Sequence, residues 1–372
     1  MGWLRRPIGS LGAYAGGRDN NFNLIRFLAA TAVLLSHSFA LAVGRSSAEP
    51  LRALLGTTLG QIAVDVFFLT SGFLVTASLI ARADVRAFVM ARVLRIYPGL
   101  IVAVLLTTAI VGWHFTTLTP REFFGSPDTW RYVLKNATMV TREMHTLPGA
   151  FEHTPWRHLV NASLWTLPYE LTMYLVLALL WVALSVIGAT RQLRQIIVGI
   201  AVLAGIALLA TQELFESNAL RLSAMFFVGS AFYTLRNVIP MRTAFFLALL
   251  GAVVASGLTG PLFKPVYFVS LPYLVFFVAY VPDGIIRRFN GFGDCSYGLY
   301  IYAWPVQQCT ASLLPGIEPP AMFAVSFAAT LALASASWRL VEKPALSLKQ
   351  RDVRTTDSGL NAAKLSKGSN VR

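Results

Sequence analysis

The chain has 372 residues, of which 56% are hydrophobic and only 13% charged, and its mean hydropathy is +0.61. These proportions exclude an ordinary soluble protein, in which charged residues supply about a quarter of the composition. A formal net charge of +14 would suit nucleic acid, but the basic residues sort by loop, which argues for a membrane and against that partner.

Ten apolar segments approach the roughly 20 residues that cross a bilayer: 22–44, 59–81, 97–113, 168–188, 195–211, 219–235, 243–259, 265–281, 295–314 and 321–341. Those beginning at 97, 243 and 265 are short or contain Pro. The expected fold is therefore all-α and integral to the membrane, a bundle of about ten transmembrane helices. With both termini placed in the cytoplasm, the inner segments hold 22 of the 31 Lys and Arg. Five of the other nine fall in one long loop, and long loops translocate largely regardless of charge. The N-terminal residues 1–18 carry Arg5 and Arg6 before a polar, Gly-rich run. They lack the apolar core of a signal peptide, so insertion is expected to fall to the first span.

The first span, NNFNLIRFLAATAVLLSHSFAL, carries Arg26 near one end and His37 well inside. Eleven residues place them about 16 Å apart along a helix and about 20° apart around it, so they share one face. Ionisable side chains at membrane depth read first as functional. The second span, QIAVDVFFLTSGFLVTASLI, holds Asp65 in its outer third. It runs antiparallel to the first, which puts Asp65 and His37 at similar depth. Asp65 is expected to orient or charge His37, as a buried carboxylate fixes an imidazole tautomer; the alternative is a packing role bonded to backbone or hydroxyl.

Arg92 and Arg95 follow, three apart on one helical face before Ile96-Tyr97-Pro98. Two guanidinium groups at the mouth of the third span suit phosphates. The outer loop 114–167 contains four of the five histidines and Trp130, Trp156 and Trp165. The histidine spacing matches no common metal-ligand motif, so no metal site is assigned. The loop reads as a short interfacial helical lid whose Trp side chains anchor at headgroups or stack on a sugar. Glu170 falls at the outer edge of the fourth span, either in the same pocket as His37 or bonded locally to Tyr169 or a helix start. The middle spans are almost free of charge and read as scaffold, with Arg221 a contact of the outer face. The ninth span, CSYGLYIYAWPVQQ, places Ser296 and Tyr300 four apart on one face. Cys295 and Cys309, 14 residues apart on that predicted helix, cannot pair with each other. The tail, 347–372, is polar, charged and without periodicity, and is expected to be disordered and cytoplasmic.

Six motifs in this order, NNFNLIRFLAATAVLLSHSF, AVDVFFLTSGFLV, RVLRIYPG, SLWTLPYEL, SYGLYIYAWPV and WRLVEKP, resemble those of the acyltransferase 3 family of bacterial integral-membrane O-acyltransferases. The resemblance spans about residues 18–346 and implies a transmembrane acyltransferase domain over 19–346 in the bacterial inner membrane. It implies transfer of an acyl group, most often acetyl, from cytoplasmic acyl-CoA to a hydroxyl of an envelope or secreted glycan. No permanently bound cofactor is implied, since acyl-CoA is the donor substrate. Carried over by motif, Arg26 with His37, Arg92 with Arg95, Asp65, and Trp165 with Glu170 fall on the family's positions. Arg26, Arg92 and Arg95 would then meet the donor, with His37, Asp65 and Glu170 in the chemistry. Trp165, Tyr300 and Ser296 would line the substrate path. The chain departs from the family at Asn23, where many members have Asp, and at Ala303, where many have His. The competing class is a transporter or flippase for a lipid-linked glycan, to which intramembrane charges would also belong. Against it, inverted halves are not detectable and the charges cluster in the first four segments.

Overall fold

The computed structural model describes residues 9–17, 19–141, 143–211, 216–260 and 262–348; the tail expectation falls almost wholly outside them. Each of the ten apolar segments coincides with a helix: α1 Phe22–Val43, α2 Leu59–Arg82, α3 Val85–Leu106, α4 Leu167–Val186, α5 Leu193–Thr211, α6 Asn218–Thr234, α7 Thr243–Thr259, α8 Phe263–Tyr280, α9 Ser296–Leu313 and α10 Pro319–Ser337. Among the described residues, seven helical stretches are long and apolar enough to cross a membrane. The molecule is an all-α integral membrane protein, since a helix satisfies its own backbone where no water can.

Local chemistry sets several of the boundaries. At the start of α2, Thr58 Oγ accepts from the Gln61 amide at 3.1 Å while Gln61 Oε1 accepts from the Thr58 amide at 3.1 Å, a reciprocal cap for two otherwise orphaned donors. Asp84 accepts from the amides of Arg86 and Ala87 at 2.8 and 3.2 Å. That cap starts α3 twelve residues earlier than the apolar pattern suggests. Pro98 lies inside the helix rather than ending it, and neighbouring helices let spans tolerate such a break. Consequently Arg92 and Arg95 are carried within α3, not on a connecting segment.

The closest helix contact is between α2 and α6. A methyl group on Gly72 would lie 1.9 Å from the Phe226 carbonyl oxygen, and one on Gly229 would lie 2.0 Å from that of Leu69. Only glycine allows two backbones this near, the usual way spans associate without a hydrophobic drive between them. Ser230 Oγ adds a hydrogen bond to the Gly72 carbonyl at 3.2 Å. Asp65 and Arg221 meet further along the same seam, so the two helices run parallel. Near the chain start, Gly9–Ser10 pairs antiparallel with Pro240–Met241.

The loop between α3 and α4 folds on itself. It contains helices Pro120–Gly125 and Pro127–Thr138 and the bridges Thr116 to Ala150 and Thr146 to Leu159. Its far end is tied to α9: Gln308 Nε2 donates to the carbonyls of Trp156 and Leu159 at 2.7 and 2.6 Å, and Trp304 Nε1 to Leu159 at 3.0 Å. Cys295 and Cys309 are both free thiols.

Candidate active site

A cavity of about 500 Å³ opens between α1, α2, α3, α4 and α9. Of the nine residues singled out from the sequence, Arg26, Arg92, Arg95, Glu170, Ser296 and Tyr300 line it. His37, Asp65 and Trp165 lie outside its walls.

At one end stands an ionic cluster. Asp294, immediately before α9, accepts through Oδ2 from Arg95 at 2.5 Å and from Arg26 at 3.1 Å. Its Oδ1 accepts from the amide of Ser296 at 3.3 Å and from the Ser296 hydroxyl. Burial alone would raise the carboxyl, but Arg95 and Arg26 with these hydrogen bonds hold it well below the usual carboxylate range. Arg95 also lies 3.9 Å from Glu342, which accepts from Ser337 at 2.9 Å. Arg92 differs: it forms no ion pair among the described residues, and its buried Nε has no hydrogen-bond partner. Its guanidinium sits 5.8 Å from the centre of the Tyr174 ring, a cation–π distance.

Beyond Arg92 the wall is polar. Tyr174, eight residues along α4 from Thr166, donates its hydroxyl to Glu170 and lies 2.7 Å from the Ser71 hydroxyl. Ser71 also donates to Glu170 at 3.3 Å. Glu170 thus faces the cavity, held by α2 and its own helix, instead of bonding to Tyr169. Next, the Tyr300 and Thr166 hydroxyls lie 2.8 Å apart. Trp165 is turned away, its ring edge against Tyr169 at 5.9 Å.

His37 stands past this end. Its ring meets Trp304 edge-on at 4.9 Å, and Trp304 meets Trp156 of the loop at 6.1 Å. Trp304 follows the cavity-lining Tyr300 by four residues, about 6 Å along a helix. The half-buried His37 keeps an Nδ1 with no hydrogen-bond partner. Its turn of α1 is braced by Gln307, whose Nε2 donates to the Leu34 carbonyl at 2.9 Å and to Ser38 Oγ at 2.8 Å.

The expected contact between Asp65 and His37 does not form. Asp65 Oδ1 accepts from Arg221 at 2.7 Å and Oδ2 from the Tyr267 hydroxyl at 2.8 Å. Both Asp65 and Arg221 are fully buried, and a buried carboxylate gains more from a permanent cation than from an imidazole. Arg221 also donates to the Gln61 carbonyl at 3.2 Å and to Asn218 at 3.1 Å, while its buried Nε has no hydrogen-bond partner. It is therefore a core residue and not a contact of the outer face. In the loop, His145 lies 3.4 Å from Glu143 and 3.2 Å from the Asn161 carbonyl. Asp294 escaped the sequence reading. The available signal was an acidic residue two positions before a span, at the depth of Arg26, with no local cation.

This arrangement can receive an anion at the arginine end and hold a small group near fixed carboxyl and hydroxyl groups, while His37 lies outside the cavity walls against Trp304. The chain is 29% identical over 349 residues to an O-acetyl transferase of Shigella phage Sf6, covering 88% of this chain and 96% of that protein. It is 28% identical over 393 aligned positions to nodulation protein 10 of Rhizobium leguminosarum bv. viciae, covering 92% of this chain and 97% of that protein. No solved structure matches it. The acyltransferase domain family model matches residues 19–339, so the chain belongs to the acyltransferase 3 family and is a membrane acyltransferase.

Proposed function

We propose that the protein is an O-acyltransferase of the bacterial inner membrane that moves an acyl group, acetyl by analogy with the Shigella phage relative, from cytoplasmic acyl-CoA to a hydroxyl of an envelope or secreted glycan. The observation that carries this reading is the cavity that joins three arginines to the Glu170, Tyr174 and Ser71 cluster. The bias of basic residues toward the inner segments puts its arginine end in the cytoplasm, where CoA is found. Phosphates of the donor meet Arg92 first, because Arg26 and Arg95 already share Asp294. The pantetheine arm then lies along the cavity and carries the thioester toward Tyr300.

Chemistry follows from these positions. An acceptor hydroxyl arriving from the loop side loses its proton to His37 as its oxygen attacks the acyl carbon. A C–O bond forms and the C–S bond breaks. The CoA thiolate leaves along the cavity and takes a proton from solvent, and the imidazolium of His37 returns its proton to solvent, which restores the base. Glu170, held by Tyr174 and Ser71, supplies negative charge on the cavity wall that the acyl group passes. Asp65 has no part in this step; its pairing with Arg221 fixes the helices on which the site is built.

The test is replacement of His37 by Ala in protein that still inserts and folds, with mass spectrometry of surface and secreted glycans as the readout. Loss of the ester is expected, and an unchanged ester yield would overturn the assignment of the base. Transport without acylation would leave glycan mass unchanged and its export dependent on the protein.

A further inference from the structure

The three arginines of the cavity are not equivalent. Arg26 and Arg95, from α1 and α3, converge on one oxygen of Asp294 at 3.1 and 2.5 Å, while Ser296 fixes the other oxygen. Arg92, one helical turn from Arg95, forms no ion pair among the described residues. Asp294 itself lines the cavity and stays 13% exposed, with Arg26 at 23%. A pair that serves only packing looks different here: Asp65 and Arg221 are both 0% exposed.

We propose that Asp294 is a built-in counter-anion that sets the affinity of the site for the donor's phosphates. The inference rests on acyl-CoA being the donor. Acyl-CoA and the product CoA carry the same phosphates and differ only at sulfur, so any cation aimed at those phosphates holds both equally. Such uniform binding lowers KM without speeding the chemical step, and it slows release of product. Three unpaired guanidinium groups in a half-buried mouth would hold CoA firmly, because charge-assisted bonds to phosphate are strong and frequently bidentate. Asp294 occupies two of them with a carboxylate that cannot diffuse away. Arg92 is left as the receptor, and Arg26 and Arg95 shape the mouth.

The measurement is binding of CoA to the purified full-length protein in lipid nanodiscs, wild type against Asp294→Asn. The substitution keeps the shape of the side chain and removes its charge. Dissociation and product-inhibition constants for CoA are expected to fall on the order of tenfold, equivalent to about 1.4 kcal/mol. The salt dependence of binding steepens as Arg26 engages, Arg95 keeping Glu342 at 3.9 Å, and kcat falls as CoA release slows. Structural damage would not tighten binding. Asp294→Glu, which keeps the charge, is expected to stay near the wild type. Unchanged or weaker CoA binding by folded Asp294→Asn overturns the inference. Should that variant not fold, Ser296→Ala decides, since it loosens the carboxylate and is expected to tighten CoA binding a few-fold; unchanged or weaker binding overturns the inference in the same way. Failure of the wild type to bind CoA overturns the donor reading and this inference with it, whereas wild-type binding without the gain removes this inference alone.

Discussion

Asp65 and Asp294 each meet arginine within this bundle, and the two contacts do opposite things. Asp65 and Arg221 meet at 2.7 Å with no exposure, and Tyr267, Asn218 and a backbone carbonyl hydrogen-bond to the pair. Asp294 meets Arg95 and Arg26 on the wall of a 500 Å³ cavity, partly open, beside a third arginine, Arg92, which also lines it. The same chemical pair is a closed joint in one place and an adjustable receptor in the other. What separates them is whether open space and a further guanidinium lie beside the pair.

Breaking the closed joint should have the largest effect. Arg221→Ala leaves Asp65 buried without its cation, and loss of one partner of a buried pair costs about 3–5 kcal/mol. The expected result is protein that fails to survive detergent extraction as a single peak in size-exclusion chromatography. The double variant Asp65→Leu with Arg221→Met should recover much of that stability, because removing both charges leaves none unpaired.

Opening the receptor should spare the fold and cost binding. Arg92→Ala is expected to raise the KM for acyl-CoA by roughly tenfold or more, the scale of one strong charge-assisted contact, while the melting temperature measured by tryptophan fluorescence stays close to the wild type. Glu170→Gln is expected to lower kcat by about tenfold with little change in KM, the pattern of a group that acts in the transition state. If Glu170→Gln instead changed only KM, Glu170 would belong to donor binding.

The smallest expected effect is acid sensitivity. Asp294 has its carboxyl depressed in the folded protein, so its contribution to stability is present above the unfolded value of about 4 and fades as pH falls toward the folded one. The difference in melting temperature between wild type and Asp294→Asn should therefore be constant from pH 7 down to about 4 and shrink below that. Asp65→Asn would show whether the closed joint behaves differently.

Much of the bundle was legible in the sequence because membrane depth imposes length and hydropathy on each span, and Thr58 with Gln61 marks a helix start through local chemistry alone. The cavity was legible in part: Arg26, Arg92, Arg95 and Glu170 stand out as charges in apolar surroundings, and they do converge. Partner choice was not legible. Arg221 is 156 residues from Asp65, and what brings them together is the glycine-to-backbone approach of α2 and α6, which no periodicity reports. The same holds for His37, whose neighbour Trp304 comes from α9. A helix face predicts what a residue can reach, and the packing of distant helices decides what it does reach.

In the proposed reaction acyl-CoA enters at the arginine end and its acyl group leaves as an ester formed on the other side. The most direct measurement reconstitutes the protein in sealed vesicles, supplies isotopically labelled acetyl-CoA to one face and a glycan acceptor to the other, and reads label in ester linkage by mass spectrometry. Labelled ester is expected with the wild type when the donor is on the face bearing Arg92, and it should be lost in Arg92→Ala and in His37→Ala. Folded wild-type protein that makes no ester, or that makes it equally well with the donor confined to the opposite face, would contradict the account.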